Sequence, residues 1–326
     1  MAAGPAVSPA ALELYRSCEV VDLHVETFVW TRIFGYDLTR RHGPGPTGAR
    51  WFGQADLPRL AAGGLSTVVL SIATNPLRRA QSPPAPAARS GPRTRRPRSG
   101  TEALLANIGR LDDLVTRWRS ASGSSMAVHL AVQGANAFDR PEDVRLVPAG
   151  TLARVTLMHL TDSRLGATSS PLGRSRGRGG LTAEGRAMVE ALGEAGILVD
   201  LAHASKRTFA DALAVHSPGR PPVVTHTGVS AVRPSWRNLD DGQIRAIADR
   251  GGVVGIMYHR GFLGRPSRRV GAEAVVRHLE HVIAVGGEAT AALGSDWDGL
   301  IVTPRDMPTA LDLPVLVDRM LARHWP

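Results

Sequence analysis

Eight short runs rich in aliphatic and β-branched residues recur along the chain, each followed by a polar or helix-like stretch. They are EVVDLHVE (19–26), LSTVVLSIA (65–73), SMAVHLAVQ (125–133), RVTLMHL (154–160), GILVDLAH (196–203), PPVVTHTG (221–228), GVVGIMYHR (252–260) and ATAALGSDWDG (289–299). Their apolar character is nearly continuous rather than alternating. That pattern marks strands buried on both faces, hence a parallel sheet covered by helices. The intervening segments agree. TEALLANIGRLDDLVTRWRS (101–120) carries apolar residues at helical spacing. LTAEGRAMVEALGEAG (181–196) opens on Thr182 as a cap, has Glu184 in its first turn and ends at Gly196. The stretches 239–252 and 271–287 both end on paired glycines, a common helix stop. Eight strand–helix units predict an α/β fold, a (β/α)8 barrel of the TIM type. A doubly wound open sheet would call for a Gly-rich phosphate loop after the first strand, and the sequence has none there.

A single barrel domain over residues 1–326 is therefore expected. Hydrophobic residues make up 43% of the chain but aromatics only 5%, so the core is expected to be aliphatic. The formal charge of +10 is concentrated rather than spread. Seven arginines and no acid lie between Arg78 and Arg98, so the rest of the chain carries +3, that is 10 − 7. This segment is rich in Pro and Ala and lacks apolar periodicity. Residues 76–100 read as a flexible, disordered Arg/Pro-rich loop insertion, with a polyanion-binding tag as the alternative. No nucleic-acid partner is expected of the domain itself. Cys18 is the only cysteine, which excludes an intrachain disulfide and a Cys-based zinc site. The N-terminal stretch lacks a basic region followed by an apolar one, and no run approaches the ~20 apolar residues a membrane helix needs. A cytoplasmic protein with no membrane partner is the expectation.

A barrel of this kind carries its active site at the C-terminal ends of its strands. Those ends supply His24 and Glu26, Gln133, His159, His203, His226, and Asp296 with Asp298 two residues on. Four histidines at corresponding positions, out of 11 in the chain, predict a shared metal. Imidazole and carboxylate together suit zinc and similar borderline cations. Residues i and i+2 share a strand face, so His24 and Glu26 can reach one ion. Asp22 is assigned to the opposite face, in a structural or supporting role.

The stretches LMHLTDSRLG, GLTAEGRAMVEALGEAGILVDLAHAS, PPVVTHTGVSAV, RPSWRNLDDGQIRAIADRGGVVGI and ALGSDWDG resemble, in order, the membrane (renal-type) dipeptidase family of zinc metallopeptidases, which belongs to the metal-dependent amidohydrolase-like barrels. The similarity runs from about residue 19 to the C-terminus. It implies a zinc-dependent dipeptidase-like hydrolase that cleaves short peptides with metal-activated water. It also implies a two-zinc site, with His24 on the first metal and His203 and His226 on the second. His159 would contact substrate and stabilise the oxyanion, Arg237 would hold the substrate carboxylate, and Asp296 would act beside the metal-bound water. The implied partner is a small dipeptide, and a homodimer is compatible with the resemblance. Two positions depart from the pattern. Glu26 stands where the family has Asp, and Gln133 stands at the bridging position where it has Glu. They open a second reading: an impaired relative with one zinc or none, acting as a small-ligand or partner-binding protein. The chain also ends where the family continues with a further helix, so a missing terminal cover is expected.

Overall fold

The computed structural model describes residues 7–45, 48–73, 99–265 and 269–325. Most of the predicted insertion at 76–100 lies outside the described residues; only Ser99 and Gly100 are described. The eight apolar runs form parallel strands β1 (Val21–Val25), β2 (Thr67–Ala73), β3 (Ala127–Gln133), β4 (Leu152–Thr156), β5 (Leu198–Asp200), β6 (Val223–Thr227), β7 (Val253–Ile256) and β8 (Ala291–Leu293). They are hydrogen-bonded in sequence order. The ring closes just beyond the strands: the Glu26 amide donates to the Trp297 carbonyl at 2.8 Å, and the Asp296 amide donates to the His24 carbonyl at 2.9 Å. β8 is thereby joined to β1, and the (β/α)8 expectation holds.

Burial follows from the composition of the runs. β6 is buried at every residue, and β2 at all but its first. Such strands face side chains inside the barrel and helices outside it. The helices begin where the sequence offers a cap. Ser99 accepts from the Glu102 amide at the start of Gly100–Ser122, and Thr182 accepts from the Gly185 amide at the start of Ala183–Glu194. Asp240 and Gln243 cap Asp241–Ala248 reciprocally. Each such cap satisfies an amide that the helix itself leaves without a partner.

The barrel is pulled tight around β6. A Cβ on Gly255 or Gly294 would lie 2.0 or 1.6 Å from the Thr225 carbonyl oxygen, so only glycine fits there. Thr225 precedes His226, and this close approach fixes the backbone that carries that histidine. Among the described residues, no helix is long and apolar enough to cross a membrane.

Outside the barrel mouth, His278 locks the helix Glu273–Gly286 to the strand ends. Its Nδ1 accepts from the Val229 amide at 2.8 Å, and its Nε2 lies 3.1 Å from the Leu263 carbonyl, which leaves Nε2 as the donor. Both bonds need the neutral ring, and burial pushes its pKa down from 6.5 to about 4. The unfolded chain takes up this proton below pH 6.5 and the folded chain does not. Stability is therefore present above pH 6.5 and lost as pH falls towards 4, by roughly 3 kcal/mol at most. Urea denaturation across that interval is expected to show a shallower acid slope for His278→Gln, whose amide reproduces the acceptor and the donor without titrating.

Candidate metal centre

The interior face of β1 carries Asp22 and His24 together, and Glu26 follows one residue past the strand. The assignment of Asp22 to the opposite face is corrected here. Positions two apart on a strand point the same way, and the Asp22 carboxylate sits inside the barrel, where Oδ1 accepts from the His24 and Ser295 amides at 3.0 Å each. His24 Nε2 lies 3.0 Å from Glu26 Oε1 and 3.6 Å from Asp296 Oδ1. The His226 ring, within β6, stacks on His24 with centroids 3.8 Å apart. His203 and His226 meet at their Nε2 atoms, 2.9 Å apart. His159 stands edge-on to His203, with ring centroids 5.0 Å apart. His24, His226 and Asp296 each offer a ligand atom, all within 4.8 Å of one another.

His159, His203 and Asp296 lie three residues beyond the ends of β4, β5 and β8, so the ladder stops sooner than the apolar runs suggest. His203 and Asp296 adopt left-handed backbones, with φ of 66° and 62°. This region is sparsely populated for non-glycine residues and persists only where surroundings enforce it. The His203 carbonyl accepts from the Ser169 amide at 2.7 Å and the Thr168 hydroxyl at 2.9 Å, which holds that turn.

Two ligands on a tetrahedral zinc, each at 2.0–2.1 Å, are separated by about 3.3 Å. The 2.9 Å between the Nε2 atoms of His203 and His226 lies close to that value. Glu26 Oε1 and Gln133 Oε1 are buried and make no hydrogen bond among the described residues. Buried polar atoms left in this way point to a missing ion or water. The donor set therefore fits a cation.

A relay orients His226. Its Nδ1 lies 3.0 Å from Thr225 Oγ1, whose own proton goes to Asp200 Oδ2 at 2.7 Å. Nδ1 must then donate, and Nε2 presents its lone pair to the pocket, the arrangement a metal-binding imidazole requires. Asp200 Oδ2 also accepts from Thr156 Oγ1 at 2.6 Å and from Arg154 Nη1 at 3.0 Å. Arg154 Nη2 lies 2.5 Å from His24 Nδ1. Neither Arg154 nor Asp200 was among the residues expected from the strand ends. The available signal was a lone charge within each otherwise apolar run, RVTLMHL and GILVDLAH.

Arg237 is buried and donates through Nη2 to the His226 carbonyl at 2.5 Å. Burial pushes its pKa down to about 10, while Asp296 and Asp200 pull it up. Burial and the neighbouring Glu26 raise the Asp296 carboxyl well above its usual range, and Arg237 opposes them. Burial lowers the pKa values of His24, His203 and His226, which favours neutral rings.

The chain matches, over residues 10–326, the family described as Membrane dipeptidase (Peptidase family M19). It belongs to that family. A Klebsiella pneumoniae protein, uncharacterized and encoded in the pqqA 5' region, is 35% identical over 162 residues, 45% of this chain and 59% of that one. An uncharacterized dipeptidase of Schizosaccharomyces pombe is 28% identical over 214 residues, 65% of this chain and 50% of that protein. The chain thus spans between half and three-fifths of these relatives. A metallo peptidase from Rhodobacter sphaeroides, solved with a phosphinate mimic of the dipeptide L-Ala-D-Ala, is 25% identical, with a TM-score of 0.72 over 94% of this chain and 93% of that one. The dipeptidase AC shares the fold, with a TM-score of 0.75 at 24% identity over 95% of this chain and 93% of that one.

In this member of the membrane dipeptidase family, the carboxylates crowd one another when no cation is present. Burial is the largest cause raising the Glu26 pKa, from 4.5 to about 7. The folded chain keeps a proton that the unfolded chain has lost, so stability is full below pH 4.5 and falls as pH rises through 7. The loss is roughly 3 kcal/mol at most. Chelator-treated protein, unfolded in urea at pH 5 and pH 8, is expected to show this fall, and Glu26→Gln is expected to reduce it.

Proposed function

We propose that the chain is a metal-dependent dipeptidase, with zinc as the metal, acting as one domain on small peptides that carry a free carboxylate. The observation that supports this best is the His203–His226 pair, 2.9 Å apart, with the His226 lone pair turned inward and Arg237 and Asp296 beside it. The Rhodobacter relative, solved with a dipeptide mimic, supports the substrate class. The cytoplasm is the proposed compartment, and a lone exposed cysteine is compatible with it.

A bound zinc ion supplies a Lewis acid and a water of lowered pKa. His203 and His226 would hold it. The side chains do the rest. Arg237 is a fixed cation with donors to spare after its bond to the His226 carbonyl. It pairs with the substrate carboxylate and places the neighbouring amide over the histidines. Asp296, as the carboxylate that the neighbouring Arg237 favours, takes the proton of the attacking water and returns it to the leaving amine; burial and Glu26 raise its affinity for that proton. The His159 ring, edge-on to His203, is positioned to share the charge that develops on the carbonyl oxygen. Such a site selects dipeptides because the carboxylate anchor lies a fixed, short distance from the reacting bond.

Zinc-reconstituted protein is expected to hydrolyse dipeptides and to lose that activity to a chelator. Blocking the substrate carboxylate as an amide is expected to lower kcat/KM by about 10- to 100-fold, the worth of a charge-assisted contact. Arg237→Met is expected to erase the difference between acid and amide substrates. Folded, zinc-loaded protein that turns over no dipeptide would favour a ligand- or partner-binding relative instead.

A further inference from the structure

The two stacked histidines of the site meet opposite partners on their outer edges. His226 Nδ1 faces the Thr225 hydroxyl, which is committed as a donor to Asp200, so the ring proton is on Nδ1. His24 Nδ1 faces Arg154 Nη2 at 2.5 Å. A guanidinium offers only donors. His24 Nδ1 must therefore accept, and the proton of the neutral ring sits on Nε2. That is the atom 3.0 Å from Glu26 Oε1 and 3.6 Å from Asp296 Oδ1. A metal ion needs a lone pair at this position, and His24 presents a hydrogen.

Arg154 has little freedom to leave. It is 3% exposed, deep within the barrel. Nη1 donates to Thr156 Oγ1 at 2.8 Å and to Asp200 Oδ2 at 3.0 Å. Nη2 also reaches the Leu23 carbonyl at 3.1 Å. The Asp200 carboxylate thus anchors both devices: through Thr225 it turns the His226 lone pair inward, and through Arg154 it turns the His24 proton inward. A dication on His24 would also face the guanidinium charge across a single imidazole ring. Gln133, a neutral amide at the end of β3, adds no negative charge that would draw a second ion in.

We propose that Arg154 is a positioning residue that turns the proton of His24 Nε2 towards the side of the Glu26 and Asp296 carboxylates, so that His24 is not a metal ligand, and that the chain holds one metal ion, on His203 and His226. This rests on the metal-dependent reading above. It deepens that reading by stating how many cations the site takes and what supplies the remaining positive charge.

The test is the metal content of the full chain, stripped with chelator, reloaded with excess zinc chloride, desalted and measured by elemental analysis. Wild-type protein and His24→Gln are each expected to retain one zinc per chain, and His226→Gln close to none. Arg154→Met, which frees Nδ1 to carry the proton, is expected to take up a second. Two zinc ions in the wild type, or loss of the single ion in His24→Gln, overturns the proposal while leaving dipeptide turnover free to stand. Zinc content fixed at one in a folded Arg154→Met denies Arg154 the deciding role. If that variant does not fold, nitrogen-15 NMR of histidine-labelled wild-type protein decides. A His24 signal with the proton on Nε2 in the zinc-loaded state supports the assignment, and a proton on Nδ1 overturns it.

Discussion

The Asp200 carboxylate, wholly buried at the end of β5, is the interaction on which the site depends. Oδ1 accepts from the amides of Ala202 and Thr225, and Oδ2 accepts from Thr156, Thr225 and Arg154. Three neighbouring strands are thereby tied at the level where their ends open into the mouth. A buried carboxylate is tolerable only when its oxygens are filled in this way. Its partners in turn acquire fixed roles. Thr225 becomes an acceptor for His226, and Arg154 is held against His24. Strand pairing, buried charge and imidazole orientation form one network rather than separate features.

Backbone strain is concentrated at the same level. His203, Asp296 and Asp298 all have φ between 62° and 67°. Asp298 is secured by the Thr27 hydroxyl at 2.7 Å and the Gln54 amide at 2.8 Å. Asp296 is secured by its amide bond to the His24 carbonyl. These bonds across the β8–β1 seam serve two purposes: they close the barrel, and they hold two strained carboxylate residues at its mouth. The cost of each strained residue, of order 1–3 kcal/mol, is carried by a ring that cannot relax without opening.

The fold was legible because burial on both faces leaves a direct mark in composition. LSTVVLSIA and GVVGIMYHR contain too few polar positions for a strand with a wet face. The convergence of His24, His203 and His226 was legible too, since strand ends of a closed barrel are brought to one rim. Less accessible were features that depend on neighbours in space. Asp22 shares the inner face with His24, two residues on, and its role there rests on the Ser295 amide from just past β8, which no local pattern reveals. Arg154 and Asp200 lie on different strands and become meaningful only when β4 and β5 pair. No pattern in one dimension shows which nitrogen of an imidazole meets a donor. His203 and Asp296 lie beyond their strands because left-handed turns end the ladder early, which aliphatic runs do not announce.

The central claim is that imidazoles distant in sequence meet around a cation inside the barrel mouth. Anomalous diffraction from zinc-loaded crystals, recorded on both sides of the zinc absorption edge, tests it most directly. The account predicts a peak within bonding distance, about 2.0–2.1 Å, of a ring nitrogen on each of His203 and His226. A zinc-loaded crystal with its peaks elsewhere, and none at that pair, would contradict it.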